Sequence, residues 1–132
     1  MCIFCEIIKG NIPSKKIYED DQVVAILDIS QATLGHTLVM PKNHYANLYE
    51  IDDNTLSHLI KVTKMIAKHY KEVDPTIEGI NLLNNNEEAA GQSVMHYHMH
   101  ILPRRKNDDL LIQFKEHQYD LDDICNKLKI KA

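Results

Sequence analysis

The feature that most constrains this sequence is a strict alternation of imidazole and apolar side chains at residues 96–101. The alternating residues are His96, Tyr97, His98, Met99, His100 and Ile101. Successive side chains of an extended strand point to opposite faces, so the pattern predicts a strand with three imidazoles on one face and apolar side chains facing a core. Imidazoles near neutral pH serve as bases, nucleophiles or ligands. We interpret this strand as a functional site; the alternative is a polar strand face without a function.

Composition places the chain among ordinary globular domains. Its 132 residues are 44% hydrophobic and 26% charged, which predicts a single domain, 1–132, with a core of its own. The net charge of −4 argues against a nucleic-acid-binding surface. No apolar run approaches the roughly 20 residues of a membrane span, and the N-terminus lacks a secretory pattern. We therefore expect a cytoplasmic protein without membrane or nucleic-acid partners.

The order of apolar patterns predicts an α+β domain around an antiparallel sheet of about five strands. Strands are expected at 16–19, 23–27, 35–41 and 79–83, in addition to the histidine strand. Between the third and fourth strands, apolar residues recur with the period of a long amphipathic helix: Leu56, Leu59, Ile60, Thr63, Ile66, Ala67 and Tyr70. Asp74-Pro75 ends this helix.

Two shorter helices are expected at the termini. The first carries Ile3, Phe4, Ile7 and Ile8, and Gly10 and Pro13 end it. The second has one apolar side, formed by Leu121, Ile124, Cys125 and Leu128. We predict that Cys125 belongs to the core. The expected domain core is 2–104, followed by a tail, 105–132.

The residues that lead into the histidine strand favour phosphate chemistry. Residues 84–93 are rich in small and amide side chains and include Gly91, so their backbone amides can approach an anion. Gln92 and Ser93 add neutral hydrogen-bond donors. A neutral imidazole among such donors suits nucleophilic attack on phosphorus, and a neighbouring imidazole can protonate the leaving group. Asp28, at the end of the second strand, either caps a turn or accepts hydrogen bonds from a ribose.

The cysteines point to a metal or to redox chemistry. Cys2 and Cys5 form a C-x-x-C pair, which in a reducing compartment indicates one of these roles rather than a structural disulfide. A closed zinc site needs four ligands, and because the chain has no second C-x-x-C, the other two ligands would be histidines. Two free thiols near the terminus are the alternative.

The histidine run resembles the motif of the histidine triad (HIT) superfamily of nucleotide hydrolases and transferases. Further blocks resemble the family in the same order, at residues 2–5, 10–14, 27–30, 35–42 and 90–94. The similarity is greatest to small bacterial proteins of the Hint type. It implies a HIT-like fold and a homodimer. It also implies that zinc is held by Cys2, Cys5, His44 and His96, which makes His96 structural.

The resemblance further implies that His98 attacks the α-phosphorus of a purine nucleotide and forms a nucleotidyl-histidine intermediate. His36, Ser93 and His100 would assist proton transfer and orient the phosphate. Asp28 would hold the ribose, Asn85 the sugar–phosphate region and Gln92 a phosphate oxygen. The purine pocket would be lined by apolar residues: Phe4, Ile7, Ile26, Ile29 and Leu38. Glu87 departs from the family, which often has glycine there.

The expected activity is that of a purine nucleoside phosphoramidase that releases an AMP-type product. A dinucleoside polyphosphate hydrolase is the alternative within the same class. Two other classes stay open: a catalytic metal centre built on the histidines, and a zinc-stabilised binding module whose nucleotide site regulates partners.

Overall fold

The fold combines one sheet with a long helix and two short ones, as a computed structural model of residues 1–131 describes. Ala132, which the sequence analysis includes in the domain, lies outside the described residues. The elements are α1 (Ile3–Ile8), β1 (Lys16–Glu19), β2 (Val23–Leu27), β3 (Thr37–Pro41), α2 (Asp53–Val73), β4 (Gly79–Leu83), β5 (Met99–Arg104) and α3 (Leu121–Leu128). The predicted α+β class, long helix and short terminal helices are confirmed.

The five strands form one sheet in the order β1-β2-β3-β5-β4, and each neighbouring pair is antiparallel. β2 and β3 are buried almost throughout because elements cover both faces of the sheet. Val23, Ala25 and Val39 pack on the side of α2. The residues that alternate with them pack on the side of α1: Val24, Ile26, Leu38 and Met40. This second side also carries the predicted site.

Helix α2 packs on the sheet through a narrower stripe than the sequence predicts. Leu59, Thr63 and Ile66 are buried as expected, but Ile60 is 44% exposed and Val62 takes a core position. The buried positions therefore follow the spacing i, i+3, i+4 and i+7, with Ile60 on the flank of the helix. Within residues 1–131, no helix is both long enough and apolar enough to cross a membrane.

The histidine strand begins three residues later than predicted. β5 begins at Met99, so His96 and His98 precede it, because pairing with β3 ends at Met99 and pairing with β4 ends at His100. The alternation nevertheless persists, since Tyr97, Met99 and Ile101 all join the core on the α2 side. β3 likewise begins at Thr37 rather than at residue 35.

The C-terminal segment, 105–131, contributes no residue to the buried core. Residues 111–131 are exposed throughout, and no residue of α3 is buried. The prediction that Cys125 belongs to the core is wrong: Cys125 is exposed, and although α3 has the expected amphipathic pattern, it buries none of its residues. Residues 105–110 still contact the sheet, where Arg104 donates hydrogen bonds to Asp108 and to the Leu110 carbonyl.

Candidate active site and metal cluster

A cavity of about 370 Å³ lies on the α1 side of the sheet, between α1, the ends of β2 and β3, and the histidine segment. This volume falls within the range of small-molecule sites. Its walls include all five apolar positions predicted for a purine pocket: Phe4, Ile7, Ile26, Ile29 and Leu38. Its polar wall includes Asp28, Ser93, His98 and His100. The chain therefore brings apolar and reactive residues to one cavity.

His98 reaches this cavity with one ring nitrogen fixed. Its Nδ1 lies 2.7 Å from the carbonyl oxygen of His96. A carbonyl only accepts hydrogen bonds, so Nδ1 carries the proton and Nε2 keeps its lone pair. The edge of the Phe4 ring packs against the imidazole, with ring centroids 5.0 Å apart. Burial lowers the pKa of His98 and thereby favours the neutral ring that a nucleophile requires.

His36 lies behind the cavity wall and is hydrogen-bonded to His100, which lines the cavity. The backbone N–H of Ala32 donates to His36 Nδ1 over 3.1 Å, so the His36 proton sits on Nε2. His36 Nε2 then donates to His100 Nδ1 over 2.8 Å, which leaves the His100 proton on Nε2. The two adjacent rings therefore differ: His98 presents a lone pair, and His100 presents an N–H.

Burial keeps this pair neutral. It lowers the pKa of His100 to about 4, with the neighbouring rings of His98 and His36 acting in the same direction. Burial also lowers the pKa of His36, although the negative charge of Asp28 opposes it. The Asp28 Oδ2 atom lies 3.6 Å from His36 Nε2. Its Oδ1 accepts a hydrogen bond from the Ser30 N–H, so Asp28 caps a turn and also faces the cavity.

Two residues predicted to bind the sugar–phosphate part of a nucleotide, Asn85 and Gln92, are not among the residues that line the cavity. The Gln92 amide donates to the carbonyls of Ala46 and Val94 and accepts from the Glu87 N–H. Gln92 is thus 3% exposed and fully hydrogen-bonded, which fits a role in shaping the loop. Asn85 packs beside Gly91, whose φ of +91° suits glycine.

Four predicted ligands converge on one point near the N-terminus: Cys2, Cys5, His44 and His96. His96 Nδ1 lies 3.4 Å from Cys2 Sγ, 3.6 Å from Cys5 Sγ and 3.2 Å from His44 Nδ1. The bond lengths of tetrahedral zinc imply roughly 3.5 Å between sulfur and nitrogen ligands and roughly 3.3 Å between nitrogens. The spacing of the ligand atoms therefore suits a tetrahedral metal ion.

His96 is oriented for this cluster by its other ring nitrogen. Nε2 donates to the Pro41 carbonyl over 2.8 Å, so Nδ1 directs its lone pair toward the sulfur atoms. A metal ligand held in one tautomer by a backbone carbonyl is the usual arrangement around protein-bound ions.

Sequence reasoning missed two amide side chains at the site. Asn84 donates to the His98 carbonyl over 2.9 Å. Gln31 donates to the carbonyls of both Asp28 and His36 and so holds the loop between them. The sequence signals were slight: a run of three asparagines after β4, and a glutamine three residues after Asp28.

Comparison with known proteins agrees with this geometry. The HIT domain family matches residues 9–107. The chain belongs to the HIT family. The protein named Protein hit of Bacillus subtilis is 52% identical over 120 residues, which cover 90% of this chain and 82% of that protein. The predicted resemblance is confirmed.

Other HIT relatives carry names that state an activity. An adenosine 5'-monophosphoramidase of Saccharomyces cerevisiae is 38% identical over 122 residues, which cover 92% of this chain and 74% of the yeast protein. The adenylylsulfatase HINT3 of Arabidopsis thaliana is 36% identical over 129 residues, which cover 96% of this chain and 65% of the plant protein. The family thus includes hydrolases of adenosine nucleotides.

Solved structures show the same HIT fold. A HIT family member from Bacillus subtilis superposes with a TM-score of 0.88 at 46% identity and covers 99% of both chains. A histidine triad family protein from Mycobacterium smegmatis, described as zinc-bound, superposes with a TM-score of 0.80 at 38% identity. That match covers 88% of this chain and 84% of the mycobacterial one.

Proposed function

We propose that this HIT protein cleaves nucleotides at the α-phosphate through a nucleotidyl-His98 intermediate, and that it is a purine nucleoside phosphoramidase. The observation that carries the proposal is the unprotonated Nε2 of His98, held beside a cavity with apolar walls. The name of the yeast relative, adenosine 5'-monophosphoramidase, supports the substrate class. A buried, neutral imidazole with a fixed lone pair is suited to covalent catalysis.

The nucleotide is proposed to bind with its purine among the apolar residues of the cavity and its ribose hydroxyls on the Asp28 carboxylate. Phe4 and Leu38 are buried and supply apolar surface. Ser93, on the cavity wall near His98, is the proposed donor to a phosphate oxygen. Asn85 and Gln92 act through the shape of residues 84–93, which we call the phosphate loop, since the Gln92 amide is already hydrogen-bonded.

In the proposed first step, the lone pair of His98 Nε2 attacks the α-phosphorus and forms a nitrogen–phosphorus bond. The bond between phosphorus and the leaving amine breaks, and its electron pair goes to the amine nitrogen. The anionic substrate favours the uptake of one solvent proton by the pair of His100 and His36. His100 Nε2–H then gives a proton to the amine nitrogen, which leaves the pair neutral.

In the second step, water attacks the phosphorus, and the electron pair of the nitrogen–phosphorus bond returns to His98 Nε2. One proton of the water passes through His100 to solvent, which restores the starting state. The product is a nucleoside monophosphate. His36 holds His100 in the required tautomer in both steps through the 2.8 Å hydrogen bond.

We also propose that the cluster of cysteines and histidines holds structural zinc. Two thiolates and two imidazoles fill a tetrahedral zinc site and leave no position for water or substrate. Such a site ties the N-terminus and α1 to the residue that orients His98, since His96 supplies both a metal ligand and the carbonyl that fixes the His98 tautomer.

Rapid-quench trapping with a labelled adenosine phosphoramidate tests the proposal. We expect labelled protein to form before AMP is released, and His98→Ala to abolish the label while AMP still binds. His69→Ala, on the exposed face of α2, is the matched control and keeps the wild-type rate. Full labelling of the His98→Ala protein would disprove the assigned nucleophile. Rates of protein labelling with adenylyl sulfate and with a diadenosine polyphosphate, measured in the same assay, show which leaving group the protein prefers.

We propose in addition that the protein is a homodimer, and that residues 1–132 form a single HIT domain with a core at about 2–104 and a C-terminal tail at 105–132. β4 lies at the edge of the sheet, where Leu82 and Leu83 are 52% and 45% exposed. The tail adds exposed apolar side chains, among them Phe114 at 85%. Light scattering of the purified protein distinguishes a dimer from a monomer. A cytoplasmic location stays a prediction from the sequence.

A further inference from the structure

The proposed nucleophile, His98, lies one residue before the start of strand β5. His98 precedes β5, whose pairing with β3 ends at Met99 and whose pairing with β4 ends at His100. The sheet therefore does not hold the His98 carbonyl, although the direction of the His98 side chain depends on this peptide unit. A side-chain amide takes the place of the missing strand partner: Asn84 Nδ2 donates to the His98 carbonyl over 2.9 Å.

Asn84 is itself held by a second amide. Asn86 Nδ2 donates to Asn84 Oδ1 over 2.8 Å, and Asn86 Oδ1 accepts from the Leu48 backbone N–H over 2.7 Å. A backbone donor at one end and a backbone acceptor at the other fix the orientation of both amides, because reversing either one would oppose two donors or two acceptors. We name this chain from the Leu48 N–H through Asn86 and Asn84 to the His98 carbonyl the amide relay.

The amide relay connects the two sides of the site. Leu48 belongs to the segment that follows the metal-cluster residue His44. The Tyr97 N–H donates to the Tyr45 carbonyl of this segment over 2.6 Å. The His96–Tyr97 peptide and the carbonyl of His98 are thus both anchored, directly or through the two amides, to residues 45–48. Neither Asn84 nor Asn86 lines the cavity, so neither is placed to touch substrate.

We propose that Asn84 and Asn86 are positioning residues for the nucleophile: through the amide relay they fix the backbone of His98, and with it the aim of Nε2. This inference rests on the proposed function in assigning the attack to His98. Attack on phosphorus is sensitive to sub-ångström placement, so loss of this anchor reduces the chemical step more than it reduces nucleotide binding.

Isosteric variants separate positioning from folding. Asn84→Asp keeps the shape and still accepts from Asn86, but it has no proton to donate to the His98 carbonyl. We expect its rate of nucleotidyl-enzyme formation from adenosine phosphoramidate to fall about 10- to 100-fold, with AMP affinity within about twofold of wild type. Asn86→Asp breaks the relay one step earlier and has a smaller effect in the same direction. The exposed Asn107→Asp control keeps the wild-type rate.

A readout without turnover distinguishes failure of this inference from failure of the proposed function. Nitrogen-15 spectra of the histidine rings report which nitrogen is protonated. We expect one tautomer for His98 in the wild type, with Nε2 unprotonated, and a mixture in Asn84→Asp and Asn86→Asp. If the wild type forms no nucleotidyl enzyme, the proposed function fails and these spectra alone decide the role of the relay. Wild-type rates and an unchanged His98 tautomer in both variants would overturn it.

Discussion

His96 and His98 are two residues apart, and each has one ring nitrogen fixed by a backbone carbonyl, but the fixed nitrogens differ. His96 donates from Nε2 to the Pro41 carbonyl and directs Nδ1 toward the other three candidate metal ligands. His98 donates from Nδ1 to the His96 carbonyl and presents Nε2 at the cavity. Identical side chains in one alternating motif therefore present different ring nitrogens, because the choice of acceptor selects the free lone pair. After their proposed roles, we call the surroundings of His96 the metal side and those of His98 the catalytic side.

The metal side and the catalytic side share two groups, the Phe4 ring and the His96 carbonyl. The Phe4 ring packs edge-on against both imidazoles, with centroids 5.9 Å from His96 and 5.0 Å from His98. The His96 carbonyl belongs to a residue of the metal side and accepts the hydrogen bond from His98 Nδ1 on the catalytic side. Changes on the metal side are therefore expected to reach the catalytic side, whereas changes at His98 are not expected to reach the metal.

The sharpest test of this comparison is to replace each of the two histidines by alanine in turn. His98→Ala is expected to lower nucleotidyl-enzyme formation at least about 10³-fold, as loss of a nucleophile does, while metal content and thermal unfolding stay at wild-type values. His96→Ala is expected to lose metal, stability and activity together. Metal analysis, calorimetry and quench assays on both variants measure this. Retention of full metal content by His96→Ala would break the comparison.

Removal of the metal is expected to have the next largest effect. A ligand that binds only the folded state at about 1,000 times its Kd stabilises the fold by about 4 kcal/mol. Chelator should therefore lower the free energy of unfolding by about this amount and disturb the His98 tautomer. Readdition of zinc should restore both. If activity vanishes at once on chelation while the folding free energy is unchanged, the metal is catalytic rather than structural.

The sequence predicted which side chains face the core and which face the site, but it did not predict which ring nitrogens carry protons. Period-two alternation correctly placed Tyr97 and Met99 in the core, opposite the imidazoles. The tautomers depend on the carbonyls of Pro41 and His96, and the position of a carbonyl follows from tertiary packing rather than from residue type. The same limit explains Cys125: amphipathic spacing predicted helix α3, but it carries no information on what surface, if any, lies against it.

The catalytic side should also respond to acid. Burial lowers the pKa of His100 from its ordinary value near 6.5 to about 4, so the unfolded chain binds this proton at a higher pH than the folded one. Stability is therefore fully present above about pH 6.5 and falls as the pH drops toward 4. At 1.36 kcal/mol per pH unit, the loss from His100 is about 3 kcal/mol.

Urea unfolding of the wild type and of His100→Asn between pH 4 and 7 isolates this contribution. The variant should show a shallower dependence of stability on pH because it lacks the buried titrating ring. Equal slopes in the two proteins would mean that His100 titrates alike in the folded and unfolded states, and that it is not held neutral by burial.

The smallest effect is expected in the phosphate loop, where the catalytic side carries backbone strain. Glu87 has φ of +74° and ψ of +162°, a region that glycine adopts freely and other residues occupy at a cost of about 1–3 kcal/mol. Its N–H donates to Gln92 Oε1, so the strained residue helps to hold the segment that leads to Ser93. Glycine relieves the strain but adds freedom to the unfolded chain, a cost of about 0.5–1 kcal/mol.

Glu87→Gly is therefore expected to raise the free energy of unfolding by about 1 kcal/mol, measured by urea unfolding, with metal content unchanged. Glu88→Gly, one residue along in the 3₁₀ turn and without positive φ, is the matched control and should not stabilise the protein. A fall in stability of Glu87→Gly to the level of this control would mean that Glu87 is unstrained in solution. An increase confined to Glu87→Gly locates the strain at Glu87 itself.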